Sequence, residues 1–493
     1  MKYTYKIIVL FIVLVIVSSC NDFLDTELEG TYTPDTFYKT EEHALKAINA
    51  TYQIASFNSS KNNSWVFGDV ASDDTVKGGG GGDQSDIGYI NDFNVNPDNG
   101  AIETFWKHYY EGISRANKVI YYVAKIDMDP ELRNRIIGEA KFLRAYYYYH
   151  LTNVFGSVPL KITPAFTAEE LNVPLATVTD IYAQIELDLS EAKEVLPVSY
   201  KTPEKGRVTN AAALGLLSKV YLFQEKWQLA LEATEEIEGQ GYKLMDLYTQ
   251  NFDVFNKNNK EAIFEIQHLT GQVPFSGSYL SQYFSPVKVN GYFFNAPTES
   301  FVNEFEVVSE GVVDPRLDYS VGREGTLWVD GKEFSPTWSP ATGYLSKKHA
   351  QSSEDNSIGD GDLNYTFMRY AEVLLIKAEA LNELSRGNEA VAFINALRKR
   401  ARESYLYDVN LTGFGTVPNG LLPDITYTSQ SQMKKVIRHE RRVELGLEFH
   451  RFYDVMRYGA TYAEEVLSDT QFIFENNRYF PIPQSERDTN TKI

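Results

Sequence analysis

Histidine, cysteine and paired carboxylates are the side chains that most often carry chemistry, and this chain of 493 residues has seven histidines and one cysteine. No His-Glu-x-x-His pair exists to hold zinc on one helical face. His439 and His450 lie eleven residues apart with Glu440, Glu444 and Glu448 nearby, a set able in principle to chelate a cation. The stretch RHERRVELGLEFHRFYDVMR fits better as a salt-bridged helix whose Arg and Glu residues pair at i, i+3 and i+4 and whose apolar residues face the core. A Gly-x-Ser-x-Gly nucleophile elbow is absent. KGGGGGD at Lys77–Asp83 lacks the Gly-Lys-Ser/Thr ending of a phosphate loop and reads as a flexible turn. DGDLN from Asp360 begins like a calcium loop, but Tyr365 stands where glycine is needed and Ala371 where the closing glutamate belongs, so an ordinary acidic loop is expected. A pair of glycosidase carboxylates is defined by separation in space and cannot be read along a chain.

The lone cysteine has a different meaning. Lys2 and Lys6 precede an unbroken apolar run of eleven residues, Ile7 to Val17, followed by Ser18, Ser19 and Cys20. Eleven helical residues cover about 16 Å, well short of the ~30 Å hydrocarbon slab, so the run is an export segment and not a membrane span. VSSC resembles a bacterial lipobox, which makes Cys20 the lipidated first residue of the mature chain. Several acyl chains hold a protein stably where one does not. Removal of residues 1–19 takes away two lysines and no acid, so the formal net charge moves from −20 to −22. Such a chain is repelled by nucleic acid. Asp22, Asp25, Glu27, Glu29 and Asp35 follow the anchor and read as a solvated tether.

The elements that must position any site are helical. Helical patterns fill Glu41 to Ile237, with one interruption, and Tyr365 to Tyr458; a Gly-, Pro- and aromatic-rich region lies between them. In one helix pair Leu214, Ser218 and Tyr221 share a face, and Ala230 follows Ser218 by twelve residues. Ala378 and Ala390 repeat that offset, with Leu374 and Leu381 at the equivalent large positions. This is the tetratricopeptide pattern of small and large residues. Two weaker pairs are proposed, 41–55 with 102–126 and 136–155 with 178–196. The expected fold is therefore mostly α, a right-handed α-solenoid of about four tetratricopeptide-like helix pairs with long loop-rich insertions. Trp65 to Gly100 and Gly241 to Asn364 interrupt the helices, with AIFEIQ as one short strand, and long loops on a stiff frame are where binding concentrates.

The segments CNDFLDTELEGTYTPDTFYKTEEHALKAINATY, SDDTVKGG, FWKHYYEGISRANKVI, GYFFNAPTESFVNEFE, DPRLDYSV, YLSKKH, RYAEVLLIKAEALNEL, RHERRVELGLEFHRFYDVMRYG and FPIPQSERDTN occur in this order. Together they resemble the SusD/RagB family of outer-membrane nutrient-binding lipoproteins across almost the whole chain. Tyr292 stands where family members often have Trp, which bears on ligand choice, and Thr75 stands where Ala is common. The resemblance implies a signal peptide at 1–19, a lipidated tether at 20–35 and a single domain at 36–493. In that domain helical repeats cover about 41–237 and 365–458, and ligand-binding insertions cover about 56–100 and 241–364. It implies no catalysis and no cofactor. Its partners would be an oligosaccharide, the membrane through Cys20, and a SusC-like TonB-dependent transporter.

Carbohydrate binding needs aromatic planes for the C–H faces of a pyranose and polar groups for its hydroxyl rim. By position within the family-like segments, the stacking platform is expected from Trp338, Tyr292 and Trp65, with Trp328 and Tyr344 beside them, and Asp73 and Asp74 as hydroxyl acceptors that could equally brace the glycine-rich turn. Trp106 and Trp227 fall at repeat-like positions and are assigned to packing. The run Tyr146–Tyr149 faces all sides of a helix, so part should be buried and part available to a partner. The reading is a glycan receptor displayed outside the cell; the alternatives are an exported glycoside hydrolase or esterase, and a peptide-binding tetratricopeptide lipoprotein.

Overall fold

The structure, a computed structural model, describes residues 33–309, 311–352 and 359–493. The export segment and Cys20 lie outside the described residues. Ten helices carry the architecture: α1 (Glu41–Ala55), α2 (Gly100–Val123), α3 (Pro130–Phe155), α4 (Val178–Val195), α5 (Asn210–Phe223), α6 (Trp227–Glu238), α7 (Tyr370–Glu383), α8 (Gly387–Tyr407), α9 (Gln430–Leu445) and α10 (Arg451–Arg457). Among the described residues none is long and apolar enough to cross a membrane.

Their boundaries follow from local chemistry. Thr40, Asn99, Asp129, Thr177, Thr209 and Ser429 each turn a side-chain oxygen onto a free amide of the first turn, satisfying donors that the helix leaves unpaired. In α1 the buried positions Ala44, Ala47, Ile48, Thr51, Ile54 and Ala55 recur at helical spacing and face inward. Each helix from α1 to α8 packs on the next in order, and α7 also packs on α9. The small residues at the expected repeat positions, Ser218, Ala230, Ala378 and Ala390, are fully buried.

The tetratyrosine run departs from expectation, because all four rings are buried and none is left for a partner. Helix α3 touches α1, α2, α4 and α5, so every side of it meets protein. Tyr147 donates to the Thr51 carbonyl of α1 at 2.7 Å, Tyr148 donates to the Lys161 carbonyl at 2.9 Å, and Tyr149 meets Phe223 of α5 edge-on. Tyr146 packs against Phe367, which belongs to an antiparallel pair of strands, Ala262–Ile266 with Tyr365–Arg369. That pair joins the two helical blocks.

The charged segment around α9 and α10 also differs from expectation. Most of its Arg and Glu residues are buried, and most of these find partners far away in sequence. Arg369 donates to Glu261, Glu444 and Glu448 at 2.5–2.9 Å. Arg316 pairs with Asp314, Glu440 and Glu444, and Arg400 also reaches Glu444. Arg441 joins Glu372 to Asp454. Local i, i+3 pairing survives in Arg457 with Asp454. His439 is an ion-pair partner, 2.6 Å from Glu304 and 3.5 Å from Glu306.

Burial opposes a charge on His439, yet the two carboxylates carry its pKa from 6.5 up to about 9. A folded-state pKa raised in this way gives stability that is complete below pH 6.5 and is lost as pH rises through about 9. The stability difference between the wild type and His439→Gln, measured by urea unfolding, should therefore shrink from pH 6.5 to pH 9.5. A difference that stays constant over that window would show that the histidine is not held protonated.

Candidate functional site

Two insertions meet to form an open cleft. The first, between α1 and α2, supplies Asn58, Asn63, Trp65, Gln84, Asp86 and the start of α2; the second supplies Tyr279, Gln282, Tyr283, Tyr292 and Phe294. A short helix, Leu280–Phe284, sets Tyr279 and Tyr283 four residues apart and therefore on one side. The chain then turns back, with Tyr292 N donating to the Gln282 carbonyl at 2.8 Å and Phe293 N to the Ser285 carbonyl at 3.0 Å. Gly291 makes this return possible, because a Cβ there would sit 2.1 Å from the Ser285 carbonyl oxygen. The neighbours of Tyr292 divide the work of fixing it: Phe293 enters a small core with Trp328 and Phe334, and Phe294 stacks on Trp65.

The result is a ladder of rings. Tyr279 and Tyr283 lie 6.1 Å apart with planes inclined by 16°, and Tyr283 and Tyr292 lie 6.2 Å apart with planes inclined by 28°. The cavity in front of them holds about 730 Å³. Tyr292 is 44% exposed, and burial raises the Tyr283 phenol further above its usual range, so it stays a hydrogen-bond donor. On the opposite wall Asn63 donates to the Ala101 carbonyl at 3.0 Å while its Oδ1 finds no partner among the described residues. Asp86 accepts from Gly100 N at 3.1 Å. It is the single carboxylate among the described residues lining the cavity. Glycoside hydrolysis ordinarily uses two carboxyl groups flanking the bond, and among the described residues lining this cavity there is one. Among the described residues no three His, Cys, Asp or Glu side chains are grouped to hold a metal ion.

Of the residues expected at the site, Tyr292 and Trp65 come together there. Trp65 is almost entirely buried and forms the floor under Tyr283 and Phe294 instead of an open stacking face. Trp338, Trp328 and Tyr344 do not line the cavity. Trp328 is buried against Phe334, Trp338 is half-buried with Lys288 Nζ 3.1 Å over its ring, and Tyr344 packs on the Phe301 and Leu317 cluster. Trp328 and Trp338 share their cluster with Phe293 and so brace the loop that carries Tyr292. Asp73 and Asp74 are corrected from ligand acceptors to structural anions: Arg451 grips Asp73 with two bonds of 2.7 and 2.9 Å, and Arg442 donates to Asp74 at 2.8 Å. Burial raises the pKa of Asp74, whereas for Asp73 burial is outweighed by Arg451 and Arg442, which hold it low. Lys77 closes the glycine run by donating to the carbonyls of Gly80 and Asp83. Asp360 and Asp362 are likewise occupied, by Gly271 N and Lys257.

Tyr279 and Tyr283 also line the cavity and were not among the residues expected there. Their i, i+4 spacing in SYLSQYF was the available signal. Because Gly291 permits the tight return, Gly291→Ala should displace Tyr292 and weaken glycan binding about tenfold, a loss of roughly 1.4 kcal/mol, with the helical core intact by circular dichroism. Unchanged affinity would show that the loop tolerates the methyl group.

A helical stack bearing an aromatic cleft has close parallels. Residues 260–493 match the family model described as SusD family, and residues 22–222 match one described as starch-binding associating with outer membrane. A solved laminarin binding SusD-like protein is 31% identical, with a TM-score of 0.78 over 92% of this chain and 99% of that one. SusD-like protein P2 of Formosa agariphila is 28% identical over 100% of this chain and 98% of its own. Surface glycan-binding protein A of Bacteroides thetaiotaomicron, solved in complex with laminarihexaose, shares the fold at 23% identity, with a TM-score of 0.74 over 92% of this chain and 98% of that one. The class is that of helical SusD-like proteins. The chain belongs to the SusD family.

Proposed function

We propose that this protein is a non-catalytic glycan receptor of the outer membrane, which captures an oligosaccharide on the Tyr279–Tyr283–Tyr292 ladder and delivers it to a SusC-like TonB-dependent transporter. The observation that supports it best is the near-parallel ladder facing a cavity walled by amides and hydroxyls. Laminarin is the first glycan to test, because the 31% identical relative is named for binding it. In this reading Cys20 carries the lipid anchor and residues 20–35 the tether, so that residues 36–493 form one domain facing the cell exterior. The ordered helix contacts support a right-handed tetratricopeptide-like stack, whose outer surface would meet the transporter.

Titration calorimetry of the mature protein against laminarin and a panel of other polysaccharides, with an assay for new reducing ends, tests the proposal. Binding without release of reducing ends is expected. Failure to bind any polysaccharide in the panel, or steady hydrolysis of one, would overturn it.

A further inference from the structure

A second cleft adjoins the first. It holds about 530 Å³ and lies between α1, the 203–207 loop, the strand Ala262–Ile266 and the turn Pro274–Ser276. Its floor is apolar, with Phe264 and Ile266 each 4% exposed and the half-buried rings of Tyr52 and Phe275 beside them. Its rim is polar: Gln53 and Lys205 are exposed, and Asn49 accepts from Arg207 at 2.8 Å. This is the same combination of ring faces and hydrogen-bonding groups found in the first cleft.

The two clefts meet at one shared residue. Asn58 lines both, and its Nδ2 donates to the Phe275 carbonyl at 3.4 Å, so these two residues form the saddle between them. The aromatic ladder crosses that saddle: the Phe275 ring lies 5.4 Å from Tyr279, a step comparable to the 6.1 and 6.2 Å steps farther along. The Phe275 plane is tilted by 42° from that of Tyr279, so the line of rings bends as it enters the second cleft. Each step is close to the width of one sugar ring.

We infer that the second cleft is a further subsite for the same glycan, so that the protein reads one extended, bent oligosaccharide across both clefts and favours long chains over short ones. The inference rests on the receptor reading above. An occupant of separate identity would leave the unbroken ladder without purpose at the saddle, whereas a continuous chain uses every ring. Binding energy then accrues with length, as it does whenever linked groups occupy adjoining sites.

The test is calorimetric titration with laminaritriose, laminaripentaose and laminariheptaose, using the wild type, Phe275→Ala and Gln53→Trp. Gln53 is exposed on α1, so the bulky ring obstructs the second cleft without entering the core, which guards against a Phe275 variant that merely folds poorly. Wild-type affinity should climb with length. Both variants should bind laminaritriose as the wild type does and laminariheptaose about fivefold more weakly, the effect of losing roughly one stacked ring. An affinity that stops rising at the triose, or variants that bind the heptaose as tightly as the wild type, would overturn the second subsite alone. Absence of binding at all three lengths by the folded wild type would overturn the laminarin-receptor reading itself, and the inference with it.

Discussion

Arg369→Met is expected to lower the unfolding free energy by about 3–5 kcal/mol at neutral pH, the cost of removing one partner from a buried ion cluster. Arg369 is 1% exposed and donates to Glu261, Glu444 and Glu448, as well as to the Glu444 carbonyl at 2.6 Å. Methionine fills similar volume but leaves three buried carboxylates sharing fewer cations. Burial works against charge on Glu444 and Glu448, and the surrounding arginines nevertheless hold both pKa values below their ordinary range. Stability drawn from carboxylates held low is present at neutral pH and is lost as pH falls. The gap between wild type and variant should therefore narrow between pH 7 and pH 3, with the change falling below about 4.5. Urea unfolding at the two pH values measures both effects, and a variant as stable as the wild type at pH 7 would show that the cluster tolerates an unpaired acid.

Tyr283→Ala carries the second large effect. The ring stands between Tyr279 and Tyr292 and above Trp65, so its loss breaks the ladder at its centre. Removing one ring's contact should weaken laminarin binding about tenfold, and the pair Tyr283→Ala with Tyr292→Ala should abolish measurable binding. Trp338→Ala provides the contrast. Its ring is covered by Lys288 and packs on Phe334, so the substitution should lower the melting temperature while leaving affinity near the wild-type value. Titration calorimetry with thermal melts on the same samples separates the two behaviours. A Trp338→Ala variant that melts normally and loses glycan would return that residue to the binding surface.

These outcomes reflect what a one-dimensional pattern can carry. The helix pairs were legible because Ser218, Ala230, Ala378 and Ala390 must be small for backbones to approach, and that demand repeats at a fixed interval. Tyr292 was legible by its place in a family-like segment. Trp328, Trp338 and Tyr344 misled because an aromatic side chain is buried by default, and nothing along the chain separates a ring that props a loop from one that meets a ligand. Asp73 and Asp74 misled for a related reason, since their partners Arg442 and Arg451 lie far away in sequence and local spacing cannot announce them. The same blindness made the arginine- and glutamate-rich segment look like a helix pairing with itself.

The grip of Arg442 on Asp74 spans 368 residues. During synthesis Asp74 must wait without this partner until nearly the last helices have emerged. Contacts so distant along the chain make assembly slow. A chain cut short before Arg442 would thus possess most of its helices yet lack the contact that ties Asp74 to α9.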